Sequence, residues 1–131
     1  MDAVDAGTGI RIMTLLGAFT ALLDAGRSDE WAELFTDAGS FEVGERSFAG
    51  HAVLRAFAAQ STRGVHLTGL PLIEPSRGGV TALSPFIFVA AADGRTLSGR
   101  YLDDIALDGG DARFARRRVE IVRSAPGDGG S

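Results

Sequence analysis

In this chain of 131 residues, Asp24 and His66 form a candidate pair for proton transfer. His66 lies within residues 63–73, where apolar or β-branched residues alternate with others as in a half-buried strand. An imidazole titrates near neutral pH, so it can act as a general base or acid. A carboxylate bonded to its other ring nitrogen would hold the required tautomer and stabilise the imidazolium. The pair would suit removal of a proton beside a carbonyl group, with loss of water or a double-bond shift.

Asp24 also has a structural interpretation. It follows the apolar residues Leu22 and Leu23 near a predicted helix end, so an inward position is expected. A buried unpaired carboxylate is costly, and His66 or an arginine would supply its partner. From the residues alone, an aspartate that binds arginine or backbone at the helix end is favoured over a catalytic pair. For His66, the alternative interpretation is a structural or surface histidine.

The composition excludes several kinds of chemistry. The chain has no cysteine, which removes disulfides, thiolate metal sites and cysteine nucleophiles. Its 13 basic residues are all arginine, so Schiff-base chemistry on lysine is excluded as well. The net charge of −4 argues against nucleic-acid binding, which usually requires a basic surface. No metal-ligand spacing or dinucleotide fingerprint occurs, so we expect neither a metal nor a cofactor.

The sequence also predicts the cellular compartment of the protein. The first residues are acidic, unlike the basic start of a signal peptide. The apolar run over 12–23 is shorter than a membrane span and ends in Asp24. We therefore expect a cytoplasmic protein without a membrane or nucleic-acid partner.

Periodicity predicts helices early in the chain and strands later. Apolar residues between Ile12 and Leu23 recur at helical spacing, Gly26 ends that helix, Ser28 caps a second and Gly50 opens a third. Pro85 predicts an edge or a bulge in its strand. Helices followed by a long antiparallel meander indicate one α+β domain. The other predicted segments are a lead-in over 1–9, short strands over 40–43 and 46–48, long strands over about 65–75, 79–91, 95–107 and 112–123, and a disordered tail over 124–131.

Four further residues are candidates for contact with a ligand. Tyr101 and Asp103 share one face of a predicted strand, where a hydroxyl could donate to a ligand carbonyl and a carboxylate could act as a base. A packed tyrosine beside an arginine-bonded aspartate on the outer face is the competing interpretation. Phe19 and Phe86 belong to a set of aromatic residues that mostly form core, and some of these would suit a hydrophobic polycyclic or polyketide-like ligand.

The basic run of Arg116, Arg117 and Arg118 has two interpretations. Strand alternation sends Arg117 to the opposite face from its neighbours, so it could reach a pocket acid or a ligand oxyanion. Structural salt bridging is favoured for all three, and a nucleic-acid role is weak because the run is short. The second histidine, His51, follows a glycine at a helix start and is expected at the surface.

Five motifs follow one another in a recognisable order between about residues 10 and 123. They are Asp24-Ala25-Gly26-Arg27-Ser28-Asp29-Glu30-Trp31, Leu34-Phe35-Thr36-Asp37-Ala38, Phe48-Ala49-Gly50-His51, Gly99-Arg100-Tyr101-Leu102-Asp103 and Arg113-Phe114-Ala115-Arg116-Arg117-Arg118-Val119. In this order they resemble the SnoaL-like branch of the nuclear-transport-factor-2-like superfamily, which includes scytalone dehydratase, polyketide cyclases and ketosteroid isomerase. The resemblance implies a cone: a curved, mainly antiparallel sheet wrapped around three N-terminal helices, with a ligand cavity inside.

The resemblance also implies roles for individual residues. Its dehydratase-like group has an aspartate near the end of the first helix and a histidine at the start of the first long strand, which are Asp24 and His66 here. It implies a cofactor-independent lyase, isomerase or cyclase acting on a small hydrophobic molecule, polyketide- or steroid-like, and a homodimer. Tyr101, Arg117 and Asp103 would help to position the substrate. The alternative is a non-catalytic module of the same fold for small-molecule binding or dimerisation.

Overall fold

A computed structural model describes residues 4–127, in which three helices pack against a curved sheet of seven strands. The elements are α1 Ala6–Asp24, α2 Ser28–Ala32, β1 Phe35–Val43, β2 Arg46–Ala49, α3 His51–Ala59, β3 Gly64–Thr68, β4 Leu72–Ser76, β5 Gly79–Ala90, β6 Thr96–Asp108 and β7 Asp111–Ala125. The strand order is β2-β1-β7-β6-β5-β3, and β4 pairs with β5 beside β3. Strands β1 and β7 run parallel, and the other paired strands are antiparallel. The predicted α+β cone is confirmed.

Helix α1 begins earlier than its apolar stripe. The Asp5 carboxylate accepts hydrogen bonds from the Thr8 backbone N–H at 2.9 Å and from the Thr8 hydroxyl at 3.1 Å. These bonds lower the pKa of Asp5. The predicted lead-in over 1–9 is therefore wrong for residues 6–9, because a capping aspartate starts the helix there.

The other end of the domain also extends beyond its predicted limit. Strand β7 continues to Ala125, which lies opposite Thr96 at the start of β6. The predicted tail over 124–131 is thus wrong for its first two residues, and 128–131 lie outside the described residues.

The apolar stripe of α1 forms the centre of the core. Ile12, Leu15, Leu16, Phe19 and Leu23 are all buried. At 19 residues, α1 is long and apolar enough to cross a membrane by length and composition, so the length argument from the shorter apolar run does not apply to it. A helix at the core of a globular domain passes the same test, and this stripe is covered by the sheet and by α2.

The C-terminal end of α1 is fixed against the start of β3. Gly26 takes the left-handed conformation (φ 73°) that ends the helix, as its spacing predicted. Arg63 donates to the Leu23 carbonyl at 3.4 Å and lies so close that a side chain at Gly26 would meet its guanidinium at 2.6 Å. Ser28 was expected to cap α2, but it is the first helical residue and Arg27 is the cap, without a side-chain bond.

The long strand predicted over 65–75 is two strands, β3 and β4. The break follows from Gly69, whose N–H donates to the Pro85 carbonyl at 2.8 Å and whose missing side chain makes room for the proline ring. Pro85 itself lies on β5 between Phe86, which pairs with β3, and Leu83, which pairs with β4. At the proline, where an edge or a bulge was expected, β5 changes its neighbour from β4 to β3.

The inner face of β6 and β7 carries a buried ion pair, Asp103 with Arg117. Their Oδ1 and Nε atoms lie 3.0 Å apart, and both side chains have no exposed surface. The guanidinium also stacks on Tyr101, with its central carbon 3.6 Å from the ring centroid. Arg116 and Arg118 point outwards, as alternation predicted, and Arg116 pairs with Glu42.

This burial bears on the interpretation of both partners. The sequence left ligand contact and salt bridging open for Asp103 and Arg117, with salt bridging favoured for Arg117, and the two side chains contact each other inside the core. Burial raises the pKa of Asp103 to about 6, although Arg117 opposes the shift, and burial lowers the pKa of Arg117. Their contact favours a structural role over substrate positioning, which alternation alone could not decide because it gives the face of a residue and not its depth.

The pH dependence of the free energy of unfolding should show that Asp103 is buried. Its folded-state pKa exceeds that of the unfolded chain, so ionising it costs stability as pH rises through about 6. Urea unfolding from about pH 4 to pH 7 should show wild type losing about 2 kcal/mol relative to Asp103→Asn, which does not titrate. Parallel stability–pH curves for the two proteins would contradict the assignment.

Two glycines should respond oppositely to alanine. Gly17 is exposed on α1 with nothing within 4 Å of an added Cβ, so Gly17→Ala should stabilise by about 1 kcal/mol. Gly99 lies at a register shift between β6 and β7, where a Cβ would overlap the Glu120 carbonyl oxygen, so Gly99→Ala should cost about 2 kcal/mol or more. Thermal unfolding of both variants tests this, and equal effects would contradict the register.

Candidate active site

A cavity of about 500 Å³ lies between α1, α3 and the inner face of the sheet. Its volume is in the range of small-molecule sites, and most of its wall is apolar. Phe19, Phe86 and Tyr101, which were candidates for ligand contact, all line it, whereas Asp103 and Arg117 do not. The aromatic side chains of the wall are Phe19, Phe41, Phe48, Phe57, Phe86, Phe88 and Tyr101.

Asp24 and His66 meet at one side of this cavity. Oδ1 of Asp24 lies 2.6 Å from Nδ1 of His66, and Oδ2 accepts the backbone N–H of His66 at 2.8 Å. The two side chains are only 21% and 14% exposed. Both carboxylate oxygens are therefore committed to one residue, which fixes the backbone and the ring together.

The geometry determines what each ring nitrogen can do. With Asp24 ionised, Nδ1 carries the proton of the shared bond and Nε2 keeps its lone pair. His66 lines the cavity, whereas Asp24 does not, so the carboxylate stands behind the imidazole. The Phe88 ring, 4.4 Å away between centroids, limits rotation of the imidazole. This arrangement can present a base to a bound molecule.

Tyr101 supplies a hydroxyl to the same wall. Its ring stacks on Phe86, with centroids 4.4 Å apart, and on the buried Arg117. Burial raises the pKa of Tyr101 to about 12; the charge of Arg117 opposes the shift, and those of Asp103 and then Asp24 add to it. The phenol therefore stays protonated near neutral pH, as a hydrogen-bond donor must.

The second histidine is not the surface residue that its position predicted. Nε2 of His51 lies 2.8 Å from the Phe35 carbonyl oxygen, and the residue is half-buried. It ties the start of α3 to β1 and does not line the cavity. Across residues 4–127 there is no group of three or more His, Cys, Asp or Glu side chains that could hold a metal ion.

Five polar side chains of the wall were not found from the sequence: Arg46, Gln60, Ser61, Thr62 and Arg95. Arg46 and Arg95 each follow a glycine turn at the start of a strand, which is a signal for a rim position in a curved sheet. The other three follow the end of α3 directly. Sequence patterns could mark these segments as turns, but not as one wall, because the wall is assembled from distant parts of the chain.

Comparison with solved structures shows the same fold in other proteins. Rv3472 from Mycobacterium tuberculosis, a function unknown protein, is 28% identical with a TM-score of 0.80, over 87% of this chain and 71% of that chain. A provisionally named scytalone dehydratase from Novosphingobium aromaticivorans DSM 12444 is 17% identical with a TM-score of 0.75, over 88% and 85%. A hexachlorocyclohexane dehydrochlorinase (LinA type 2) is 12% identical with a TM-score of 0.78, over 89% and 86%.

No curated protein matches the chain significantly. The family model of the SnoaL-like domain, in contrast, matches residues 11–118. That span runs from the first turns of α1 to the middle of β7, and includes the Asp24–His66 pair and nearly all of the cavity wall. The protein belongs to the SnoaL-like domain family.

Proposed function

We propose that the protein is a cofactor-independent lyase, isomerase or cyclase that moves protons on a small hydrophobic molecule. The observation that carries this proposal is the Asp24–His66 pair, bonded at 2.6 Å, with His66 on the wall of a largely apolar cavity. A base beside an apolar cavity is shielded from water, which strengthens the electrostatic interactions of the transition state. In this proposal His66 is the catalytic residue and Asp24 its positioning residue.

The proposed reaction begins with Nε2 of His66 taking a proton from a carbon beside a carbonyl group. The electron pair of the C–H bond moves towards the carbonyl oxygen, and Tyr101 donates a hydrogen bond to that oxygen. Asp24 stabilises the imidazolium formed on His66. The proton then returns to another carbon in an isomerisation, or to a departing hydroxyl group that leaves as water.

Two of the similar solved structures support an elimination in particular. One carries the name of a dehydratase and the other that of a dehydrochlorinase. Both names describe loss of a proton together with a leaving group, which one base beside an apolar cavity could promote. Because both proteins are under 20% identical to this chain, they support the class of reaction and not a substrate.

A proton-abstraction test does not require the natural substrate. Nitrobenzisoxazole opens its ring when a base removes one proton and the N–O bond breaks, so its coloured product reports a base in an apolar site. His66→Gln should lower the rate by about 100-fold or more, because general-base catalysis contributes that much. Asp24→Asn should lower kcat more than it raises KM, because Asp24 orients the base but does not itself line the cavity.

The matched control is the other histidine. His51→Gln removes an imidazole that does not line the cavity, so it should keep the wild-type rate if the variant stays folded by circular dichroism. An unchanged rate in His66→Gln, or an equal loss in His51→Gln, would contradict the assignment of His66 as the base.

We also propose that two copies associate through the outer face of β3, β4 and β5. Large apolar side chains are exposed there in facing cross-strand pairs: Val65 with Val89, Leu67 with Ile87, and Leu72 with Leu83. A contiguous apolar face of this kind marks an interaction surface in a soluble protein. It also favours the second candidate function, a dimerisation module, which the catalytic test separates from an enzyme.

A matched pair of substitutions tests the dimer. Leu67, on this face, and Ile10, on α1, are exposed to nearly the same extent, 65% and 66%. Light scattering after size exclusion should give a dimer for wild type and for Ile10→Arg, and a monomer for Leu67→Arg, because a charge on the apolar face cannot be buried without cost. A monomeric wild-type protein would refute the proposal.

A further inference from the structure

The formal charges on the cavity wall are all of one sign. Among the described residues that line it, Arg46 and Arg95 are charged and His66 can become so, whereas no aspartate or glutamate lines it. This contrasts with a chain whose net charge is −4. Both arginines are exposed, so they lie where the cavity meets solvent.

Most other arginines of the described region have a carboxylate partner. Those that form ion pairs are Arg27, Arg55, Arg100, Arg113, Arg116 and Arg117. Within residues 4–127, neither Arg46 nor Arg95 forms one. Two guanidinium groups at one cavity thus have no carboxylate partner in the part of the chain that the structure describes, and their donors suit an anionic ligand.

Arg46 is held at the rim by an aromatic side chain. It is the first residue of β2, opposite Val43 of β1, and its guanidinium carbon lies 4.9 Å from the centroid of the Phe48 ring. Phe48 in turn packs on Phe57 of α3, with centroids 4.6 Å apart. All four side chains line the cavity, so the cation lies beside apolar surface that a ligand would share.

Arg95 is positioned through its backbone. Its carbonyl accepts the Ala90 N–H at 2.8 Å, and its own N–H donates to the Asp93 carboxylate at 2.9 Å. The nearest acid in sequence is therefore bonded to the backbone of Arg95. The turn before β6 is fixed in this way, and Arg95 lines the cavity.

We propose that the ligand is an amphipathic anion, with an apolar body inside the cavity and a carboxylate or phosphate group held by Arg46 and Arg95. Guanidinium groups bind these planar or multidentate anions through charge-assisted hydrogen bonds. Among residues 4–127, the wall offers no acid to neutralise a bound cation. The proposal deepens the proposed function, since the anion would orient the apolar body beside His66, but the binding claim requires no catalysis.

Equilibrium binding of simple probes tests the proposal. Decanoate, decyl phosphate and decanol share one alkyl chain and differ in charge. Calorimetry should show the wild-type protein binding at least one of the two anions about tenfold or more tightly than decanol, the effect of charge-assisted hydrogen bonds. The double variant Arg46→Gln, Arg95→Gln should lose this preference while keeping its affinity for decanol.

The control removes the same charge elsewhere. Arg77 is exposed in the turn between β4 and β5, lies outside the cavity wall and forms no ion pair with the described residues, so Arg77→Gln should keep the wild-type preference. The preferred anion identifies the head group as carboxylate or phosphate. Equal affinities for anions and decanol, no anion binding, or an unchanged preference in the double variant would overturn the proposal. Because His66→Gln should still bind the anion, a failed catalytic assay leaves this result interpretable.

Discussion

The bond between Asp24 and His66 joins the helical layer to the edge of the sheet. β3 is a terminal strand, and the His66 N–H, which no neighbouring strand receives, donates to Oδ2 of Asp24. An unpaired backbone donor in that half-buried position would be costly, so the aspartate has a structural task whatever the ring does. The second oxygen then fixes the imidazole against Phe88. The structural and catalytic interpretations of Asp24 are thus two consequences of one bidentate contact.

Much of this arrangement follows from patterns in the sequence. What the patterns do not give is how deeply each side chain is buried. The order of elements could be predicted, since helix ends and strand starts have local signals, whereas the meeting of Asp24 with His66 was implied by the family resemblance and disfavoured by the residues alone. Alternation also placed Tyr101 and Asp103 correctly on one face of their strand, but did not tell whether that face is the inner or the outer one. Alternation could not show that Tyr101 lines the cavity whereas Asp103 is buried in the core beside it, because this depends on the curvature of the sheet. For the same reason His51 looked like a surface residue, although α3 brings it against the carbonyl of β1.

The arginines show how the same side chain takes different roles through its surroundings. Arg117 forms an ion pair with Asp103 and is enclosed by aromatic rings, so its charge is paired within the fold. Replacing such a pair together with apolar residues often costs little, whereas removing one partner leaves a buried charge. Arg46 and Arg95 line the cavity, are exposed to water and have no carboxylate partner among the described residues. Whether an arginine has a carboxylate partner, and not its place in a basic run, therefore distinguishes a structural arginine from one that can bind a ligand.

The cavity is chemically sparse, and this restricts the proposed reaction. His66 is its one titratable base among the described residues, with Tyr101 as a donor that burial keeps protonated. One base can remove a proton and return it, so the substrate must itself provide the acidic C–H bond and any leaving group. The protein then contributes position, exclusion of water and a fixed tautomer, which is set by Asp24. A site of this kind favours reactions whose electronic demands are already met by the substrate, such as an elimination or a double-bond shift beside a carbonyl group.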